Sequence, residues 1–255
     1  MTPNPILKVL STFQKYDVQA LLIGGQACII YGAVEFSRDS DFLILVSSEN
    51  LVRLRRTLSK LQAENVYFPP LKAGYLRRGH ACHFRCQAED VRGLRVDLLA
   101  RLRGCDDFDA LWRRRMRVEL PDGQIIPIIG LRDLVQSKKT QRDKDWFMLR
   151  RLVENDIRLN REGPRRGQAS WWLMECRNPE TLTDLANVFT QEAKRLVKKR
   201  PLIQFAIRGE EPELTTALLD EEGLERERDR KYWKPLREEL EKMRRERSRS
   251  TRRGQ

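Results

Sequence analysis

The sequence lacks any long hydrophobic run. None of its stretches approaches the roughly 20 consecutive apolar residues that a helix needs to cross a bilayer. Residues 1–15 also lack the continuous apolar segment of a secretory signal. From these two absences we expect a cytoplasmic protein with no membrane partner.

Cysteine and histidine are scarce, and their spacing does not favour a metal–thiolate site. The chain has five cysteines, an odd number, and only two histidines, and no two cysteines form a Cys-x-x-Cys pair. Both histidines lie beside Cys82 and Cys86, but structural zinc takes four well-spaced ligands and this spacing fits a strand poorly. We therefore favour free thiols in a reducing compartment over a zinc site.

Positive charge is in excess. The 255 residues include 50 Lys and Arg against 37 Asp and Glu, which gives a formal net charge of +13. A field of this sign attracts polyanions, although many charges in the mixed-sign stretches simply solvate helices. We expect RNA, tRNA included, or an acidic protein as the partner.

The hydrophobic pattern alternates short buried strands with helices. "VQALLIGG" (18–25) and "DFLILV" (41–46) are typical of buried strands, and "HACHFRC" (80–86) with "GLRVDLLA" (93–100) predicts an antiparallel pair. A Pro-Asp-Gly turn at 121–123 predicts a further hairpin. The expected fold is α/β, with a short mixed β-sheet flanked by helices and a helical C-terminal extension.

A change of composition suggests where domains divide. The segment "NREGPRRGQ" at 160–168 is typical of a linker, so we expect a core domain at 1–160 and a helical extension at 161–220. Residues 221–255 are dense in Arg and Glu, and we expect a charged, partly disordered tail there. Its "RSRSTRR" run would either grip RNA phosphates or only aid solubility. Trp171 and Trp172 favour packing of the extension over stacking on a base.

Two acids stand one residue apart after the first strand and its glycine turn. Asp39 and Asp41 project from the same face of a strand, and they repel each other unless a cation lies between them. Oxygen ligands favour a hard cation such as Mg²⁺, which readily shares a substrate phosphate. Gly24 and Gly25 allow backbone N–H groups to approach an anion closely.

The arrangement Ile23-Gly24-Gly25, a spacer of residues 26–38, and Asp39-Ser40-Asp41 resembles the nucleotidyltransferase superfamily that includes DNA polymerase beta. That family has a third carboxylate on a later strand. "RVDLLARL" supplies it as Asp97, which strand alternation places with Arg95 and away from Val96. The resemblance implies that Asp39, Asp41 and Asp97 are catalytic and hold Mg²⁺ or Mn²⁺.

A second segment extends the resemblance. "DLVQSKKTQRDKDWFMLRRL" (133–152) is similar to the C-terminal signature of minimal and abortive-infection-toxin-like nucleotidyltransferases, with Lys138, Arg142 and Asp145 at its positions. The likeness implies that Lys138 lies near the phosphates and is catalytic, and that Asp145 supports the nucleotide site, with Lys139 as the alternative phosphate contact. The remaining nucleotide-binding residues that it implies are Gly24, Gly25 and Ser37. The chain departs from the family pattern at Glu35, where relatives carry Arg.

The implied activity is metal-dependent transfer of a nucleoside monophosphate from an NTP, such as ATP, to a hydroxyl group, with release of pyrophosphate. RNA or an acidic protein is the expected acceptor, and the toxin-like relatives add an antitoxin as a possible partner.

The alternative from another class is a noncatalytic RNA- or protein-binding module on the same fold. Modification of a cationic small molecule is disfavoured by the basic charge. His83 is expected to be a packed core residue rather than a catalytic one.

Overall fold

A computed structural model of the chain describes residues 5–34, 36, 37, 39–120 and 123–253. The chain forms two compact units. The first comprises Met1–Ile30, Val34–Ser137 and Lys231–Gln255, and the second comprises Tyr31–Ala33 and Lys138–Arg230. Glu35 and the Pro121-Asp122 part of the expected hairpin turn lie outside the described residues.

A mixed β-sheet forms the centre of the first unit. Its strand order is β3-β4-β5-β2-β1-β7-β6; β1 runs parallel to β7 and β2 parallel to β5, whereas the other neighbours are antiparallel. The predicted mixed α/β sheet and both predicted hairpins are thereby confirmed. Within the described residues the strands are β1 (Ala20–Ile23), β2 (Asp39–Ile44), β3 (Ala63–Asn65), β4 (Cys82–Cys86), β5 (Arg95–Leu99), β6 (Met116–Glu119) and β7 (Ile125–Ile128).

Helices flank this sheet. Apolar residues at helical spacing on α1 are buried, and Phe13 stacks on Phe42 of β2 with ring centroids 4.1 Å apart. Ser47 accepts a hydrogen bond from the backbone N–H of Asn50, which caps the start of α3. The helices are α1 (Pro5–Lys15), α2 (Gly24–Ile30), α3 (Ser48–Lys60), α4 (Ala73–Arg78), α5 (Phe108–Arg113) and α6 (Leu131–Ser137).

The cysteines are free thiols, as expected, and four of the five are buried. Burial raises the pKa of the Cys82 and Cys86 thiols to about 11, so both stay protonated near neutral pH.

The second unit is helical. Trp172 is fully buried and donates a hydrogen bond from Nε1 to Asp156 Oδ2 at 2.7 Å, so it packs inside this unit. A helix begins after Asn178 and is interrupted at Phe189, whose φ and ψ of −108° and 48° are not helical. The helices are α7 (Asp143–Asn160), α8 (Gln168–Glu175), α9 (Pro179–Val188), α10 (Thr190–Leu196), α11 (Ile203–Arg208) and the first part of α12 (Glu211–Arg253).

The backbone of α12 is helical through Arg253, where the sequence had led us to expect a partly disordered tail. Its alternating charges pair within single turns, as in Glu225–Arg228 and Glu241–Arg245, and such pairs favour a helix. The two units also differ from the division expected at 160 and 220, because α7 belongs to the second unit and residues from Lys231 onward belong to the first. In the described part of the chain, no helix is both long and apolar enough to cross a membrane.

Candidate active site

Strand register gathers the predicted acids on one face of the sheet. Asp39 and Asp41 alternate with the buried residues Ser40 and Phe42 of β2, as predicted. In the parallel pairing of β2 with β5, Asp41 lies opposite Asp97, and Asp39 lies opposite Arg95. His83 of β4 lies opposite Asp97 on its other side. We call this set of side chains the carboxylate face; it consists of Asp39, Asp41, Asp97, Arg95 and His83.

The glycine turn lies directly against this face. Strand β1 ends at Ile23, which is the register partner of Asp41, and α2 begins at Gly24 with a φ of +68°. A Cβ atom at Gly24 would collide with the Asp41 carboxylate, and one at Gly25 would collide with the Ser37 hydroxyl group. The structure therefore brings Gly24, Gly25 and Ser37 together with Asp41, and only glycine permits this close approach.

Replacing Gly24 with alanine is expected to destabilise the protein by about 2 kcal/mol or more, since a positive φ and a collision with Asp41 add together. Gly93→Ala is the matched control, because Gly93 has a φ of +83° but a Cβ there would meet nothing within 4 Å. The control should lose only about 1 kcal/mol. Urea unfolding measures both variants, and equal losses would contradict the close packing of the glycine turn on Asp41.

A guanidinium group lies between two of the acids. Arg95 Nη2 is 3.0 Å from Asp97 Oδ2, and Arg95 Nη1 is 3.8 Å from Asp39 Oδ2. Partial burial by itself lowers the pKa of Arg95, but attraction to Asp97 and Asp39 outweighs it and raises the pKa. Arg95 therefore stays charged and neutralises these carboxylates. Its position two residues before Asp97 on one strand was the sequence signal that could have identified it.

His83 contacts the carboxylate face instead of the core. Its Nδ1 atom is 2.9 Å from Asp97 Oδ1, in the geometry of an ion pair rather than of an aligned hydrogen bond. The edge of its ring meets the Tyr67 ring, with centroids 5.8 Å apart. The side chain is 28% exposed, so the prediction of a packed core residue was wrong. Asp97, at 11% exposure, is thus contacted from both neighbouring positions.

The donor atoms suit a hard divalent cation, because all three carboxylates lie on one face and offer only oxygen. In this structure, however, Asp97 is held by Arg95 and His83. Among the residues that the structure describes, no three acidic, histidine or cysteine groups converge closely enough to hold an ion. The residue chemistry therefore fits Mg²⁺, and in this arrangement Arg95 supplies the neutralising charge.

The second sequence signature forms its own cluster in the second unit. Lys138 Nζ is 3.1 Å from Asp145 Oδ1, and Asp145 Oδ2 accepts hydrogen bonds from Thr140 Oγ1 and Arg142 Nε, each at 2.7 Å. Burial alone raises the pKa of Asp145, but Lys138 and Arg142 outweigh it and lower the pKa. Asp145 is therefore an ionised, fully buried anchor for the first turn of α7.

Both signature lysines are paired. Lys138 is 6% exposed and its amine contacts Asp145, while Lys139 Nζ is 2.9 Å from Glu175 Oε1. The structure thus brings Lys138 together with Asp145 in the second unit. The glycines, Ser37 and the three site carboxylates belong to the first unit.

Comparison with known proteins finds nucleotidyltransferases. No protein-family model matches the sequence, and no curated protein does. The lincosamide antibiotic adenylyltransferase LnuA, solved with lincomycin bound, is 14% identical with a TM-score of 0.41, over 58% of this chain and 94% of its own. A protein of Thermotoga maritima described as a nucleotidyltransferase is 17% identical with a TM-score of 0.37, over 63% and 91%.

A third similar structure, described as a nucleotidyltransferase of H. pylori, is 15% identical with a TM-score of 0.42, over 89% of this chain and 94% of its own. These neighbours are of the class that the motifs resemble. At this distance they add nothing to the argument from the residues themselves.

Proposed function

We propose that the protein is a nucleotidyltransferase that moves a nucleoside monophosphate from an NTP to a hydroxyl group of RNA. The observation that carries this proposal is the packing of the Gly24 turn on Asp41 together with the Asp41–Asp97 register, which puts a close-approach backbone beside three carboxylates. If one of these acids were only a salt-bridge partner on its strand, neither the glycine turn nor the other two acids would be needed beside it.

In this proposal, Asp39, Asp41 and Asp97 hold Mg²⁺ or Mn²⁺. The ion that these carboxylates would hold would supply positive charge beside the triphosphate and the acceptor hydroxyl. The hydroxyl oxygen forms a bond to the α-phosphorus, the bond from that phosphorus to the bridging oxygen breaks, and pyrophosphate leaves. Asp97, the acid on the later strand, accepts the hydroxyl proton.

The nucleotide contacts are assigned to the glycine turn and the signature lysines. Gly24, Gly25 and Ser37 lie beside Asp41, where backbone N–H groups and a hydroxyl can donate to phosphate oxygens. The assignment of Lys138 to a phosphate, with Lys139 as the alternative, rests on the motif resemblance alone, because the Lys138 amine pairs with Asp145 inside the second unit. An NTP such as ATP is the donor.

The acceptor is assigned from charge. A net charge of +13 supports a polyanion, and RNA, tRNA included, offers both phosphates and free hydroxyl groups. An acidic protein that offers a Ser, Thr or Tyr hydroxyl is the second choice. An antitoxin partner has only the motif resemblance in its favour.

The test is transfer of label from each α-phosphate-radiolabelled NTP to total RNA with Mg²⁺ present. Asp41→Asn is expected to slow transfer about 100-fold or more, because it removes a charged ligand from the centre of the carboxylate face. Asp109→Asn is the control, since it removes the same charge from an exposed position in the first turn of α5. Transfer that persists at the wild-type rate in Asp41→Asn would refute the assignment.

The second candidate is a noncatalytic RNA-binding module, and the observation that favours it is the Arg95 contact with Asp97 and Asp39. A face whose acids are already neutralised has less need of a metal. Such a module would bind RNA and would transfer no label with any NTP. Its wild-type form would bind Mn²⁺ no more tightly than its Asp41→Asn variant does.

A further inference from the structure

A cleft of about 190 Å³ opens in the first unit on the side of the carboxylate face where His83 lies. One wall is the segment from Tyr67 to Pro69, which follows β3, and the floor comes from β4 and the residues before it. The other wall is α12, from Trp233 to Arg244. We call this the aromatic cleft, because Tyr67, Phe68, His83 and Trp233 line it.

The α12 wall comes from one side of the helix. Trp233, Leu236, Leu240 and Arg244 follow each other at steps of three, four and four residues, and Arg237 lies four residues after Trp233, so these side chains share one side of the helix.

Glu239 fixes this face on the rest of the unit. Its Oε1 is 2.7 Å from Arg78 Nε, and its Oε2 is 2.9 Å from Nε2 of the buried His80. The cleft is therefore held in place by contacts of Glu239 with α4 and with His80, which lies two residues before β4.

The cleft offers aromatic surface to a ligand. Tyr67 is 49% exposed, and its ring meets the edge of His83. Trp233 lies across the cleft from it and packs edge-on against Tyr232, with centroids 5.1 Å apart. Every nucleobase has a π-face that can stack on such side chains, so this kind of binding does not depend on the RNA sequence.

The charge of the cleft fits a phosphate backbone. Arg237 and Arg244 line it, and no carboxylate is among its described lining residues. Arg237 is exposed and makes no ion pair with any residue that the structure describes, so its guanidinium is available to a ligand anion. A purely acidic ligand would contact only the arginines of this lining, and a neutral apolar ligand would contact only its apolar and aromatic side chains.

His83 connects the cleft to the carboxylate face. Its ring lines the cleft while its Nδ1 atom is 2.9 Å from Asp97 Oδ1. A base stacked in the cleft would therefore have its ribose within reach of Asp97. We propose that the aromatic cleft binds an unpaired nucleotide of a single-stranded RNA and presents its hydroxyl group to Asp97, a role that rests on the proposed nucleotidyl transfer.

The test measures binding without NTP and without divalent metal, so that it does not depend on transfer. The probe is a fluorescently labelled single-stranded oligoribonucleotide of about 12 nucleotides, followed by fluorescence anisotropy. Trp233→Ala and Tyr67→Ala are each expected to weaken binding about 10-fold. Trp233→Phe should restore most of it, and Phe147→Ala, at another exposed aromatic residue, should bind as the wild type does.

Salt dependence tests the arginine contact separately. Arg237→Ala is expected to reduce the slope of log K against log salt by about 0.7, as the loss of one phosphate contact to a single strand does. Arg245→Ala removes the same charge from another face of α12, where Arg245 pairs with Glu241, and should leave the slope unchanged.

The outcomes separate the two proposals. Wild-type binding by Trp233→Ala and Tyr67→Ala would overturn the cleft assignment and leave nucleotidyl transfer intact. Displacement of the probe by duplex RNA or by poly-glutamate as readily as by the single strand would also overturn it. If Trp233→Ala and Tyr67→Ala bind the probe more weakly than the wild type does, and the wild type transfers no label, the cleft assignment is supported and the transferase is refuted.

Discussion

Asp145→Leu should lower the free energy of unfolding of the second unit by about 3–5 kcal/mol, the cost of leaving a buried charge without its partner. The partner is Lys138, whose amine is 3.1 Å from Asp145 and whose side chain is 7% exposed. Arg142 also loses its carboxylate, although its own side chain is 58% exposed and is easily rehydrated. Urea unfolding followed by far-UV circular dichroism measures the loss.

Asp143→Ala is the matched control, because it removes an acid from the same turn of α7 at a side chain that is 96% exposed. It should cost less than about 1 kcal/mol. The double variant Lys138→Met with Asp145→Leu should recover most of the loss, since no buried charge then remains. An Asp145→Leu protein as stable as Asp143→Ala would contradict the buried ion pair.

The pH dependence of stability should also report the contact between Asp145 and Lys138. The pKa of Asp145 is lowered in the folded chain, so its contribution is fully present above about pH 4, the ordinary range of an Asp carboxyl in an unfolded chain. It is lost as the pH falls through the folded-state value. The stability of Asp145→Leu should therefore fall less steeply than that of the wild type below about pH 4.

Arg95→Met is expected to bind Mn²⁺ about 10-fold more tightly than the wild type does. A divalent cation held by Asp39 and Asp97 must displace the Arg95 guanidinium, whose contacts lie at 3.8 and 3.0 Å, and a hydrogen bond between charged groups is worth about 1.5–3 kcal/mol. Electron paramagnetic resonance of free and bound Mn²⁺ measures the dissociation constant without any turnover.

Arg92→Met is the control for the Mn²⁺ measurement. It removes the same charge from an exposed residue between β4 and β5, so only long-range attraction changes. An unchanged dissociation constant in Arg95→Met, or a weaker one, would show that Arg95 does not compete with a metal. No measurable Mn²⁺ binding by either protein would support the noncatalytic module.

Local pattern was enough to predict the faces of the strands. The alternation around Phe42 and Val96 placed Asp39, Asp41 and Asp97 on polar faces, and the structure agrees. It could not predict that β2 and β5 are neighbours in register, because pairing between strands over 50 residues apart depends on the whole sheet. The approach of Arg95 to Asp39 follows from that register and so became visible only in the structure.

Other features escaped prediction for different physical reasons. The partner of Lys138 is Asp145, seven residues away across a turn, and charge spacing alone does not indicate such a contact. The dense charges of α12 suggested disorder, but pairs such as Glu241–Arg245 within one turn favour a helix. The aromatic cleft combines three segments distant in sequence, which no local pattern reports.

Helix α12 has a consequence for the order in which the protein can be completed. Its residues from Lys231 onward belong to the first unit, but residues Lys138–Arg230 of the second unit lie between them and the sheet along the chain. A ribosome thus delivers the strands with their carboxylates early and the Trp233 wall last. The strands that carry the acids are therefore synthesised about 130 residues before the helix that completes the proposed cleft.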